Sequence, residues 1–178
     1  TGNTVSNYGG AATTTYGIYI NGQSAPKIEN NNVILGAGTT TTAYGINVAS
    51  ACHGYLKINA NTVEVSSSAT ASQLTAINNL APINTTLDIT NNTIQNCAYT
   101  TATSGAFQGI YEQAATTGCT VNITGNTISG LNYGSASTTS SGSTYGIYVT
   151  GGSPTSVNVN DNIVHDNMTT GTTGSTSY

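Results

Sequence analysis

Apolar residues recur at every second position in short runs along this chain. Leu56 and Ile58, Leu87 and Ile89, Val121 and Ile123, and Val157 and Val159 each place two aliphatic side chains on one side of an extended segment, because neighbours on a strand point to opposite faces. No segment offers the three-to-four residue spacing of an amphipathic helix. The pattern predicts strands joined by polar turns, with these pairs facing inward.

An Asn-centred block follows each run. It reads Ile28-Glu29-Asn30-Asn31-Asn32-Val33, Ile58-Asn59-Ala60-Asn61-Thr62-Val63, Ile89-Thr90-Asn91-Asn92-Thr93-Ile94, Ile123-Thr124-Gly125-Asn126-Thr127-Ile128 and Val159-Asn160-Asp161-Asn162-Ile163-Val164. Thr1-Gly2-Asn3-Thr4-Val5 fits with its first residue missing. The series Asn3, Asn31, Asn61, Asn92, Asn126 and Asn162 runs at intervals of 28, 30, 31, 34 and 36 residues. A drifting period of this size marks repeat coils that carry loops of unequal length on a common scaffold.

Between the Asn blocks stands a second one: Tyr16-Gly17-Ile18-Tyr19-Ile20, Tyr44-Gly45-Ile46-Asn47-Val48, Ala76-Ile77-Asn78, Gly109-Ile110-Tyr111 and Tyr145-Gly146-Ile147-Tyr148-Val149. Each coil then reads strand, short turn, strand, Asn turn, strand, long loop. The fold expected is all-β: a right-handed parallel β-helix (β-solenoid) of about five coils of 28–36 residues, with three short strands per coil and a stacked Asn turn ladder. Left-handed backbone is expected at Asn30, Asn91, Gly125 and Asp161, types that tolerate it. The Asn that follows each would point into the turn and bond its neighbours in the stack.

The GIxI segment, the IxxNxI block and the loop-tolerant period resemble the parallel β-helix repeats of pectin-lyase-like proteins. The resemblance covers essentially the whole chain and implies the fold. For function it implies a broad set: polysaccharide lyases, glycosidases, phage tailspikes, bacterial adhesins and structural stalks. A looser resemblance extends to the long Thr-, Asn- and Gly-rich surface proteins of gliding or surface-attached bacteria.

Composition narrows that set. Only 4% of residues are charged, the net charge is -4, and two Lys are the only Lys or Arg residues. Without a basic patch the chain has nothing to neutralise phosphates, so nucleic-acid binding is not expected. No run of about 18 apolar residues and no charged leader is present, so neither a membrane span nor a signal peptide is read in it. Solubility resting on hydroxyls and amides suits an extracellular, cell-surface location. Residues 1–178 read as a single β-helix segment excised from a longer repeat array, with Ser177-Tyr178 standing where a further YGI strand would be fed.

The charged residues are few enough to take in turn. Lys27, Lys57, Asp88, Asn122 and Asn158 form one expected outward column, with Glu29, Asn59, Thr90, Thr124 and Asn160 beside it. One reading is a Lys base for β-elimination; the other, favoured here, is an exposed charge ladder in which Glu29 and Asp88 offset the two Lys. Asp161, Asp166 and His165 come nearest to a carboxylate cluster, yet no column supplies the paired carboxylates of a glycoside hydrolase. No catalytic residue, metal site or cofactor is expected, and the chain is read as not an enzyme.

Three further features stand out. Glu112 occupies an inward column whose other members include Ile20, Val48, Asn79 and Val149, so a bulge or a hydrogen bond from Asn79 is expected there. Tyr19, Asn47, Asn78, Tyr111 and Tyr148 form an outward column of phenols and amides able to contact glycans. A column with Thr62, Thr93 and Thr127 raises ice binding, although Asn32 and Ile163 interrupt it. Cys52 and Cys119 fall two coils apart, too far for a disulfide, and Cys97 lies in another turn. The function expected is a structural, adhesive segment of a large secreted surface or filament protein, partnered by further repeats of its parent chain, by end-to-end copies or by surface glycans. The alternative is a glycan-binding or polysaccharide-degrading protein whose catalytic part lies elsewhere.

Overall fold

The computed structural model describes residues 1–10, 13–36, 38–101, 103–133 and 141–169. Ser177 and Tyr178 lie outside them. All regular structure among the described residues is β, and every strand pairing is parallel, giving a β-solenoid of about five turns. None of it is a helix long and apolar enough to cross a membrane.

Four sheets run along the stack. The first contains Thr15–Ile20, Ala43–Val48, Leu74–Asn79, Phe107–Glu112 and Thr144–Val149. The second holds Lys27–Glu29, Leu56–Asn59, Thr86–Thr90, Thr120–Thr124 and Ser156–Asn160. Six strands make the third: Thr4–Tyr8, Asn32–Leu35, Thr62–Glu64, Thr93–Gln95, Thr127–Ser129 and Ile163–His165. A fourth sheet of two-residue strands, Ser66–Ser67, Ala98–Tyr99, Asn132–Tyr133 and Met168–Thr169, joins the three strands read from the repeat.

Alternation on the second sheet builds the core as expected. Leu56, Leu87 and Val121 align, as do Ile28, Ile58, Ile89 and Ile123, and all are buried. Fully burying such a side chain stabilises the fold by about 1.5–3 kcal/mol. Two aromatics also enter the core, Tyr99 and Phe107. The columns emerge at the last coil, where Val157, Val159 and Val164 are 42–49% exposed. At the other end a depression of about 120 Å³ opens between Ile18, Ile20, Ile28 and Asn31.

The Asn turn closes every coil in one geometry. Gly2, Asn30, Ala60, Asn91, Gly125 and Asp161 all have φ between 54° and 70°, which includes an alanine at a position that suits Gly or Asn better. The following Asn donates its backbone N–H and its Nδ2 to the Oδ1 of the next coil's Asn, at 2.9–3.1 Å, through all five steps from Asn3 to Asn162. The second Nδ2 hydrogen of Asn61, Asn92, Asn126 and Asn162 reaches back to the carbonyls of Ile28, Ile58, Ile89 and Ile123 at 2.7–2.9 Å. Asn61, Asn92 and Asn126, all buried, thus use both of their amide hydrogens in a dry setting.

Asn92→Ala removes an acceptor for two Asn61 hydrogens and leaves the Ile58 carbonyl and the Asn126 Oδ1 short of a donor. Urea unfolding is expected to show a loss of about 2–4 kcal/mol, whereas Asn3→Ala, at the exposed end, costs less than about 1 kcal/mol. Equal midpoints for Asn92→Ala and the parent would show that the ladder carries no stability.

Candidate functional site

Strict alternation along the first sheet would turn Tyr16 inward, because Ile18 and Ile20 face the core. The structure breaks that phase at the glycine. A Cβ on Gly45 would stand 2.5 Å from Val63 Cγ1 and 2.6 Å from the Ala76 carbonyl, so the glycine faces inward together with buried Ile46. Two successive inward positions put residues three apart on the same outer face.

Two columns therefore share that face: Tyr16, Tyr44, Thr75, Gln108 and Tyr145 in one, and Tyr19, Asn47, Asn78, Tyr111 and Tyr148 in the other. Only the second was expected. The first was hidden because period-two reading sends it inside, and the recurrent Gly17, Gly45, Gly109 and Gly146 were the available signal.

The tyrosines gather in two groups. Tyr16 lies 4.7 Å from Tyr19 and stacks on Tyr44 at 5.4 Å. Near the other end, Tyr148 stacks on Tyr111 at 5.0 Å and on Tyr145 at 4.2 Å. Burial, with Tyr16 and Tyr111 nearby, raises the Tyr44 phenol above its ordinary value.

Between the groups the column departs from its expected exposure. Asn47 and Asn78 are 2% and 0% exposed, so a direct glycan contact from Asn78 is corrected. Asn78 donates to Asn47 Oδ1 at 2.6 Å and accepts from Gln113 Nε2 at 2.9 Å, which lays the Gln113 side chain on it. In the neighbouring column Gln108 Oε1 accepts from Thr75 Oγ1 at 2.9 Å and from Gln73 Nε2. Flanking long side chains close over the short ones, which alternation alone does not reveal.

Glu112 is wholly buried. Its carboxylate accepts from Asn79 Nδ2 at 2.7 Å and from the backbone N–H groups of Ala114 and Ala115 at 2.8 and 2.6 Å. Asn79 closes the equivalent turn one coil earlier, taking the Ala81 N–H and giving to its carbonyl. Desolvation pushes the Glu112 carboxyl above its ordinary value, against the pull of these three donors. Its setting is that of a turn-closing group without access to solvent.

The second sheet's outer face carries the charge ladder in the expected register. Lys57 meets Glu29 at 2.7 Å, and that contact holds the Glu29 carboxyl below its ordinary range. Asp88 accepts from Tyr55 and from Asn122, each at 2.8 Å; burial and then Asp88 push the Tyr55 phenol up to about 12. Lys57, the best-placed base, is thus engaged by a carboxylate. Asp161 and Asp166 occupy left-handed turn positions, and His165 touches Asp166 at 2.7 Å in an exposed pair. The column Thr4, Asn32, Thr62, Thr93, Thr127 and Ile163 is aligned, with Asn32 and Ile163 in place as interruptions.

Cys52, Cys97 and Cys119 are free and buried. Burial pushes the Cys97 thiol up to about 12 and raises that of Cys119, with the nearby Glu112 carboxylate adding to the latter. Among the described residues no group of three His, Cys, Asp or Glu is arranged to hold a metal ion.

Two solution experiments check these environments. The folded protein keeps the Glu112 proton to higher pH than the unfolded chain does, so this group's contribution is greatest below the ordinary value of 4.5 and is lost as pH rises through the raised folded value. Denaturation midpoints are expected to fall over that window in the parent and to stay flat in Glu112→Gln; the same slope in both would assign it elsewhere. A thiol reagent at pH 8 is expected to label none of the three cysteines in the native protein and all of them in denaturant, since it is the thiolate that reacts.

Comparison with protein-family models, with curated proteins and with solved structures gives no match for this chain. What places it is its own architecture, a parallel β-solenoid of about five turns.

Proposed function

We propose that this chain is a structural and adhesive β-solenoid segment of a large secreted bacterial cell-surface or filament protein, of the pectin-lyase-like kind that its repeats resemble. The observation that carries this reading is a stack built from one coil template: the ladder repeats the same backbone-to-Oδ1 contact through five steps from Asn3 to Asn162 at 2.9–3.1 Å, and each sheet pairs equivalent strands of successive coils in parallel. Such a template stacks on copies of itself, whether as further repeats of the parent chain or as end-to-end copies. Sides rich in hydroxyls and amides, with loops of unequal length between strands, suit presentation outside the cell.

The competing class is a polysaccharide-degrading β-helix protein whose catalytic part lies outside this segment. The engagement of Lys57 by Glu29 and the enclosure of Glu112 favour the non-catalytic reading.

An antibody raised against the 178-residue protein is expected to label intact producing cells, or fibres shed from them, without permeabilisation. Labelling only after the envelope is opened would overturn the surface role. Release of reducing or unsaturated sugars from a polysaccharide panel by the natural full-length protein would move the degrading class ahead.

A further inference from the structure

We propose that Tyr16 and Tyr19 form an oxidative coupling site, at which a haem peroxidase with hydrogen peroxide joins the two phenols into an intrachain dityrosine. This modification site is independent of the adhesive role proposed above.

The two rings stand close to the geometry of the product. Rings joined by one carbon–carbon bond have centroids about 4.3 Å apart, the sum of a bond of about 1.5 Å and two ring radii of about 1.4 Å. Crowding beside that bond twists the two planes. The Tyr16 and Tyr19 centroids are 4.7 Å apart, with planes inclined at 52°. Gly17 sets this arrangement, since a Cβ there would stand 2.5 Å from Val33 Cγ1 and 2.6 Å from the Gly45 carbonyl. With Gly17 and Ile18 both turned inward, residues three apart return to one outer face. Coupling then joins neighbours already held together and needs no encounter between molecules.

The other close pairs are less suited. Tyr145 and Tyr148, 4.2 Å apart, lie within 11° of parallel, and Tyr111 and Tyr148, at 5.0 Å, within 20°. Tyr16 and Tyr44 stack at 5.4 Å and 9°. The bond to be formed lies in the plane of both rings, so rings stacked face to face must open before they can join. Burial also raises the Tyr44 phenol above its ordinary value, which hinders the proton loss that accompanies oxidation.

Access and competition favour the same pair. Tyr16 and Tyr19, at 38% and 49%, are the most exposed of the described tyrosine side chains. The chain has no Trp, and its three cysteines are buried. Phenols on this face are therefore the groups that most readily yield one electron to an outside oxidant.

The step balances with peroxide alone. Each phenol loses one electron and its hydroxyl proton, leaving two phenoxyl radicals. These join through one bond between ring carbons ortho to the oxygens, and the two displaced ring hydrogens pass to the oxygens and restore both phenols. The two electrons and two protons convert one hydrogen peroxide into two waters.

Dilute native 178-residue protein, treated with a haem peroxidase and hydrogen peroxide and then denatured and digested with trypsin, tests this. Trypsin cuts after Lys27 and Lys57. Blue dityrosine fluorescence is expected in the 1–27 peptide, which should be two hydrogens lighter and give no backbone fragments between residues 16 and 19. Tyr16→Phe and Tyr19→Phe each keep the ring but cannot form a phenoxyl there, and each should lose most of the fluorescence. Tyr148→Phe should couple like the parent. An unmodified 1–27 peptide, a link from 1–27 to 28–57 or to a second copy, or parental fluorescence in Tyr19→Phe would overturn the proposal.

Discussion

A parallel stack with a rise of about 4.8 Å per coil requires each residue to be compatible with the residue at its own position above and below. An asparagine amide meets that requirement in both directions, since it donates from one side and accepts on the other. The ladder from Asn3 to Asn162 uses this property at the sharpest turn of the coil, where backbone groups would otherwise be buried without partners. The left-handed residue before each Asn makes the turn, and the Asn makes it repeatable.

The same constraint accounts for the scarcity of charge. Like charges at one position would sit a single coil apart, and Lys27 beside Lys57 is the case the chain tolerates, at the surface and with Glu29 at 2.7 Å from Lys57. Most columns elsewhere consist of groups that stack with themselves: aliphatics inside, and hydroxyls, amides and phenols outside. On the third sheet Glu64 departs from this rule at the surface, where it accepts from Gln95 Nε2 at 2.7 Å, and Glu112 departs from it inside. It is accommodated because Asn79, directly adjacent in the stack, and two backbone N–H groups converge on it.

Because the coil closes through one conserved turn geometry, variation is confined to the loops and to the outward columns. The glycine phase change doubles the outward positions available on the first sheet, and it is there that aromatic residues collect. The face combines rings stacked on one another with carboxamides held by their own oxygens. The second sheet, by contrast, spends its polar side chains on one another.

Periodicity was enough to read the solenoid, the inward aliphatic columns, the Asn ladder and the register of the charged column, because each follows from local alternation and a turn that repeats in sequence. Even the Asn79–Glu112 bond was legible, since a carboxylate in an apolar column needs a donor and the adjacent coil offers one. Three things were decided only by the tertiary structure. The Gly–Ile phase change brought Tyr16, Tyr44, Thr75, Gln108 and Tyr145 to the outer face, because a glycine packs where a side chain would meet Val63 and the Ala76 carbonyl. The short fourth sheet formed from residues with little pattern of their own, paired by the coils around them. Asn47 and Asn78 were withdrawn from solvent by side chains from other coils, a long-range effect that leaves no trace in the residues themselves.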